Sequence, residues 1–176
     1  VIGQWSLILC AKTATKRIRK ITDKVGHSVF CLGTFIYKGL NEQDSLNKVF
    51  QEFIDKNVDS RNYIGNYCLI FWDGHEITFL LDPQYSYHVF QYSGNSSISS
   101  SFLALIASDD KKKTINRFAL LEKLATGCLV SPDTLVQEIK QLHSSNAFEF
   151  SRNSGVKVST ESSISIPAEM HKEGIT

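Results

Sequence analysis

Apolar residues along this chain fall in two patterns, short runs of strand length and longer stretches spaced three or four apart, and the switches between them predict an order of elements. Residues 4–10 (QWSLILC) and 28–36 (SVFCLGTFI) are aromatic and aliphatic runs of strand length, and both read as early strands of a buried sheet. Between them, TKRIRKITDKVG alternates basic residues with Ile18 and Ile21, which leaves open a polar-faced strand or a short helix ending near Gly26. Residues 43–56 (QDSLNKVFQEFIDK) place Leu46, Val49, Phe50, Phe53 and Ile54 on one helical face, with Asp44 or Asn41 able to cap the start.

Two strands follow, 66–72 and 76–81, joined by Asp73-Gly74, a strong hairpin signal because both residue types tolerate positive φ. A further strand, 87–93 (YHVFQYS), turns at Gly94-Asn95 into SISSSFLALIA. Residues 116–125 (NRFALLEKLA) read as a helix, with Asn116 as cap, Phe118, Leu121 and Leu124 on one face, and Gly127 just past the end. After Pro132, residues 134–142 fit a short helix or a turn leading to a strand at 146–151 (NAFEFS). From Ser151 onward the pattern dissolves. The organisation expected is one domain over 1–159, with 160–176 a tail or a linker.

Composition narrows the class rather than the function. At 176 residues the chain can bury roughly two thirds of its unfolded surface in a single core. With 42% hydrophobic and 21% charged residues and a formal net charge of +1, nothing in the bulk charge points to nucleic acid. No apolar run approaches the roughly 20 residues of a spanning helix, and no signal sequence opens the chain, so no membrane is expected. Cys10, Cys31, Cys68 and Cys128 form no CxxC pair and have no clustered histidine. They read as free thiols, which favours a cytoplasmic setting, and no metal site is expected.

Lys12, Lys16, Arg17, Arg19, Lys20 and Lys24 set six positive charges against Asp23, either as a solvated face or as a patch for an anion or an acidic partner. His75 beside Glu76 reads as a solvated hairpin residue. His88 sits among Tyr85, Tyr87, Phe90 and Tyr92, as an aromatic sheet surface or a ligand-stacking face. Walker-type, HExxH and Gly-x-Ser-x-Gly motifs are missing.

The succession GNYCLIFWDG, LLDPQYSYHVFQYSG, ISSSFLALIA and NRFALLEKLATGCLVSPDTLVQEIKQLHSSNAFEF resembles the amino-terminal domain of asparagine synthetase-like proteins. That domain is a class II glutamine amidotransferase with the amino-terminal-nucleophile hydrolase fold, and the likeness runs from about Gly33 to Phe150. The resemblance implies an α+β chain, a four-layer αββα sandwich of two mostly antiparallel sheets.

In that family a terminal cysteine attacks the side-chain amide of glutamine, its own amine acting as base. Val1 stands where that residue is expected, and a hydrocarbon side chain cannot attack. The family's Arg-Gly-Pro-Asp clamp for the substrate carboxylate is missing, and its Asn-Gly-Glu-Ile-Tyr-Asn segment, which helps form the oxyanion hole, reads GTFIYKG. Of the residues matched to substrate handling, Tyr37 and Asp44 remain, and Asp44 doubles as a candidate cap. Asp82 is kept from the family's Arg-Asp-x-x-Gly and is expected to tie a turn, while Leu81 and Tyr85 replace the arginine and glycine.

The resemblance with these departures implies a degenerate, non-catalytic amidotransferase-like domain. It would support an ATP-dependent amide-forming domain in cis or in trans, and a homodimer is compatible with it. The ATP-binding Ser-Gly-Gly-x-Asp-Ser loop is not in this sequence, so ATP and Mg belong to that other domain and no cofactor is expected in this one. The competing reading is an active glutamine amidohydrolase that uses Cys10 after leader removal; Ala11 in place of the expected glycine, and the loss of the strand before it, count against that.

Overall fold

Apolar runs largely buried on both faces form the strands at the centre of the molecule. The computed structural model describes residues 6–9, 19–58, 60–84, 86–93, 97–108, 110–130, 132–142, 148–151 and 155–158. Strands β1 (Arg19–Thr22), β2 (Ser28–Tyr37), β3 (Tyr63–Trp72) and β4 (Ile77–Leu81) pair in sequence order, and β8 (Phe148–Ser151) and β9 (Gly155–Val158) extend the sheet beyond β4. A second sheet has the order β6-β5-β7, from β5 (Phe90–Tyr92), β6 (Ser97–Ser99) and β7 (Ile139–Gln141). Every pairing is antiparallel. With helices α1 (Glu42–Ile54), α2 (Phe102–Ala107) and α3 (Arg117–Thr126), the described residues form an α+β structure of two antiparallel sheets and three helices.

Because successive side chains of a strand point to opposite faces, β2 and β3 feed two cores at once. Val29, Cys31, Phe35 and Tyr37 join Tyr63, Tyr67, Leu69 and Phe71 on one face, which Leu46 and Val49 of α1 cover. Phe30, Cys68, Ile70, Trp72, Ile77, Phe79 and Leu81 form the opposite face and pack with Val89, Leu142 and Ile98, beside the second sheet. The third cluster lies between that sheet and α2, through Phe90, Tyr92, Ile139, Phe102 and Leu105.

Where β2 and β3 run closest, both carry glycine. A Cβ on Gly33 (φ +84°) would meet the carbonyl oxygen of Asn66 at 2.1 Å, and one on Gly65 (φ +130°) that of Thr34 at 2.2 Å. Only glycine combines this approach with positive φ.

Both long helices start and stop as their sequences predict. Asn41 caps α1, its side-chain oxygen accepting from the Asp44 amide at 2.9 Å; Asp44 in turn accepts from the Asn41 side-chain amide at 2.6 Å. Asn116 caps α3 by accepting from the Ala119 amide at 3.2 Å, and Gly127 ends it in the left-handed conformation at φ +77°. The choice left open over 15–26 resolves as a strand for 19–22, with Arg19 opposite Cys31 and Thr22 opposite Ser28.

Several segments differ from their sequence reading. Residues 6–9 form no strand, although Leu7 and Leu9 pack on the second cluster; alternate burial reports a nearby core, not a ladder partner. The strand expected over 87–93 shrinks to β5, because the Tyr87 amide donates to Asp82 Oδ2 at 2.8 Å instead of to a neighbouring strand. SISSSFLALIA divides into β6 and α2, with Ser101 capping the helix by accepting from the Ala104 amide at 3.2 Å. The β3–β4 connection spans Asp73 to Glu76; Asp73 Oδ1 gathers the amides of His75 and Glu76 at 2.8 Å each, and of the four residues only Gly74 has positive φ.

Residues 134–142 hold no helix but a bridge at Val136, a turn and then β7. The 146–151 strand is present as β8. Past Ser151 the chain is not patternless, since β9 pairs with β8; a four-residue run is too short to declare a period. The Gly94-Asn95 turn and the 160–176 tail lie outside the described residues.

Candidate functional site

Between the large sheet and β6 lies a cavity of about 370 Å³, within the size range of small-molecule sites. Its floor is the inward stripe of the large sheet: Leu32 of β2, Cys68 and Ile70 of β3, Ile77 and Phe79 of β4. Leu7, Ile8 and Leu9 line a further side, with Val89 and Ile98, and serines 6, 97, 99 and 100 complete the lining. These positions converge because β3 and β4 share a register, Ile70 opposite Phe79 and Trp72 opposite Ile77, which sets their even-face side chains in one row.

Among the described residues the lining carries no Asp, Glu, Lys, Arg or His. Its one thiol, Cys68, is wholly buried, and burial raises its pKa well above the ordinary value, with Cys31 and Asp82 adding to the rise. A protonated thiol with no base along the lining is not an activated nucleophile. The hydroxyls at the edge have partners in the fold. Ser99 Oγ accepts from the Ser101 amide at 3.0 Å. Ser100 pairs with the Tyr87 phenol, whose pKa burial raises despite that hydrogen bond.

None of the residues matched by resemblance to amidotransferase chemistry lines this cavity. Tyr37 is 1% exposed on the opposite face of β2, under α1. Its hydroxyl donates to Glu52 Oε1 at 2.7 Å, its amide donates to Ser45 Oγ at 3.0 Å, and the Lys38 ammonium stands 4.8 Å from its ring centre. Tyr63 donates to the other Glu52 oxygen at 3.1 Å, so one helix carboxylate gathers two phenols. Burial raises the Tyr63 pKa, and the neighbouring Glu52 carboxylate raises it further.

Asp44 sits in the first turn of α1, exposed and paired with Asn41. Asp82 is fully buried and ties a turn: Oδ1 accepts from the amides of Gln84 and Ser86 and from the Ser86 hydroxyl, and Oδ2 from the Tyr87 amide, at 2.8–3.1 Å. Gly33 and Thr34, which replace the family's Asn-Gly pair, occupy the close approach to β3, and Gly33 O accepts from Arg19 Nη1 at 2.8 Å. Cys10 lies outside the described residues.

Other candidates also resolve. Arg19 pairs with Glu42 at 2.7 Å, while Lys20 and Lys24 are exposed; Lys12, Lys16 and Arg17 lie outside the described residues. His75 is exposed, as a hairpin residue should be. His88 is exposed, with its ring nitrogen 2.8 Å from Gln141 Nε2 and its ring stacked on Phe90. The aromatic run around it does not share one face: Tyr87 packs in the second cluster, Phe90 and Tyr92 in the third, and Tyr85 lies outside the described residues.

Cys31 and Cys68 are free and buried, and burial pushes the Cys31 thiol up to about 11 despite the nearby Arg19; Cys128 is free and exposed. Among the described residues no group of three or more His, Cys, Asp or Glu is placed to hold a metal ion. No helix among them is long and apolar enough to cross a membrane.

Two features escaped the sequence reading. Glu52 carried a signal: with Ser45 seven residues earlier, it borders the buried stripe of α1, where a charge needs partners. Tyr67 carried none; it is fully buried with no hydrogen-bond partner for its hydroxyl among the described residues. Compared with known proteins, the chain matches no family model and no curated sequence.

Proposed function

We propose that this chain is a degenerate, non-catalytic glutamine amidotransferase-like domain of an asparagine synthetase-like protein. It supports an ATP-dependent amide-forming domain supplied in cis or in trans. The observation that carries this reading is the employment of the matched side chains. Tyr37 is bound by Glu52, Asp44 by Asn41 and Asp82 by its own turn, so none presents a free group to a substrate in the cavity.

The order of the clusters supports the αββα form of the fold. α1 lies on the large sheet, whose other face meets the second sheet across the cavity, and α2 lies beyond. Among the described residues the lining offers no cation for a glutamine carboxylate and no carboxylate for its amine, which supports the same reading. ATP and its Mg ion are assigned to the partner domain.

Ammonia release from glutamine tests the proposal. The purified chain is expected to give no turnover above buffer, with Cys10→Ala indistinguishable from it. Turnover that disappears in Cys10→Ala would overturn the reading in favour of an active amidohydrolase.

A further inference from the structure

We propose that the cavity between the sheets binds a neutral, predominantly apolar ligand. The inference does not depend on the amidotransferase reading; it rests on the cavity itself. The space of about 370 Å³ is open to solvent where Ile8 and Ser100 are exposed, and its volume falls within the range of small-molecule sites.

The chemistry of the wall selects the ligand. Leu32, Ile70, Phe79, Val89 and Ile98 offer only dispersion and desolvation, which favour an aliphatic or aromatic body. Among the described residues no cationic or anionic side chain lines the space, so a charged ligand would lose its hydration there without a counter-ion. The hydroxyls of β6 do not add a polar pole: Ser97 and Ser99 stand opposite Tyr92 and Phe90 and share their face toward α2, while Ile98 is turned to the cavity. β6 is a three-residue strand that, among the described residues, pairs with β5 alone, and the space opens to solvent beside Ile8 and Ser100.

The test uses the full chain with 1-hexanol, 1-heptanol and 1-octanol, by calorimetry and by thermal shift. Saturable binding is expected, tightening about fourfold per methylene and roughly fifteenfold from hexanol to octanol, as burial of about 0.8 kcal/mol per CH₂ requires. Octanoate is expected to bind at least about tenfold more weakly than octanol, given the uncharged wall. Ile98→Phe, which fills the cavity from its half-buried edge, should weaken octanol binding by about tenfold or more while leaving the melting temperature unchanged or raised.

Absence of saturable octanol binding, equal affinity along the series, or octanoate binding as tightly as octanol would overturn the proposal. So would undiminished binding to a folded Ile98→Phe. If that variant does not fold, the alcohol series and the octanoate comparison on the unaltered chain decide the matter.

Discussion

Helices α1 and α3 carry apolar residues at the same helical spacing and are capped by the same residue type, yet the molecule uses them in opposite ways. Leu46 and Val49 of α1 are 1% and 0% exposed, whereas Phe118, Leu121 and Leu124 of α3 are 85%, 63% and 74% exposed, and Ala119 is the buried residue of that helix. Their polar contacts differ in the same sense. α1 is tied to strands: Glu42 to Arg19 of β1, Ser45 to the Tyr37 amide of β2, Glu52 to Tyr37 and Tyr63. α3 is tied to its own flanks, through Asn116 to Leu135, Lys123 to Gly127 and Glu122 to Val130. A helical stripe therefore specifies which residues can share a face, while the elements packed against it decide whether that face is covered.

The largest expected effect tests the α1 side of the comparison. Leu46→Ala should cost about 2–5 kcal/mol in chemical denaturation, because it leaves a void in a cluster closed by two strands. A cost below about 1 kcal/mol would show that α1 does not seal the large sheet.

A second, smaller effect comes from alkaline pH. Cys31, Tyr63 and Tyr67 under α1 are buried neutral, with folded pKa values raised above 9.0 for the thiol and 10.0 for the phenols. Stability from a raised pKa is complete below the unfolded value and is lost as pH climbs toward the folded one. Unfolding free energy should therefore fall from about pH 9 through Cys31 and from about pH 10 through the two phenols as well, on the order of 1 kcal/mol per pH unit for each group once above its unfolded value. Flat stability across that range, measured by urea titration, would contradict the buried neutral cluster; α3 contains no group of this kind.

The smallest effect belongs to α3. Phe118→Ser should change stability by no more than about 0.5 kcal/mol, since the ring is already in water. A loss above about 2 kcal/mol would mean that the Phe118 face is covered in solution and would erase the contrast.

What was legible in the sequence follows the same division. α1 and α3 were readable because their apolar residues keep a helical spacing and Asn41, Asn116 and Gly127 mark ends by local chemistry, and β2, β3 and β4 because they are apolar runs of strand length. The segments that escaped are those where a side chain took over a backbone partner. Asp82 captures the Tyr87 amide and shortens β5, and Ser101 starts α2 inside what reads as one apolar run. Away from the cavity, Asp82 was read as a turn-tying carboxylate, and it ties that turn. The cavity was not readable, since Leu7, Phe79 and Ile98 are far apart in sequence and meet only across two sheets.

By itself, the sequence determined the local periods, the caps, the glycines where β2 meets β3, and an uncharged inward stripe on the central strands. All of these are properties of neighbouring residues under backbone geometry. Only the tertiary structure decided that α1 would be sealed and α3 left open, that Tyr37 would turn to Glu52 instead of to a substrate, and that the second sheet would stand off the first by the width of a ligand. Those outcomes depend on which distant surfaces come together, and coverage, unlike periodicity, is not written in any one stretch of chain.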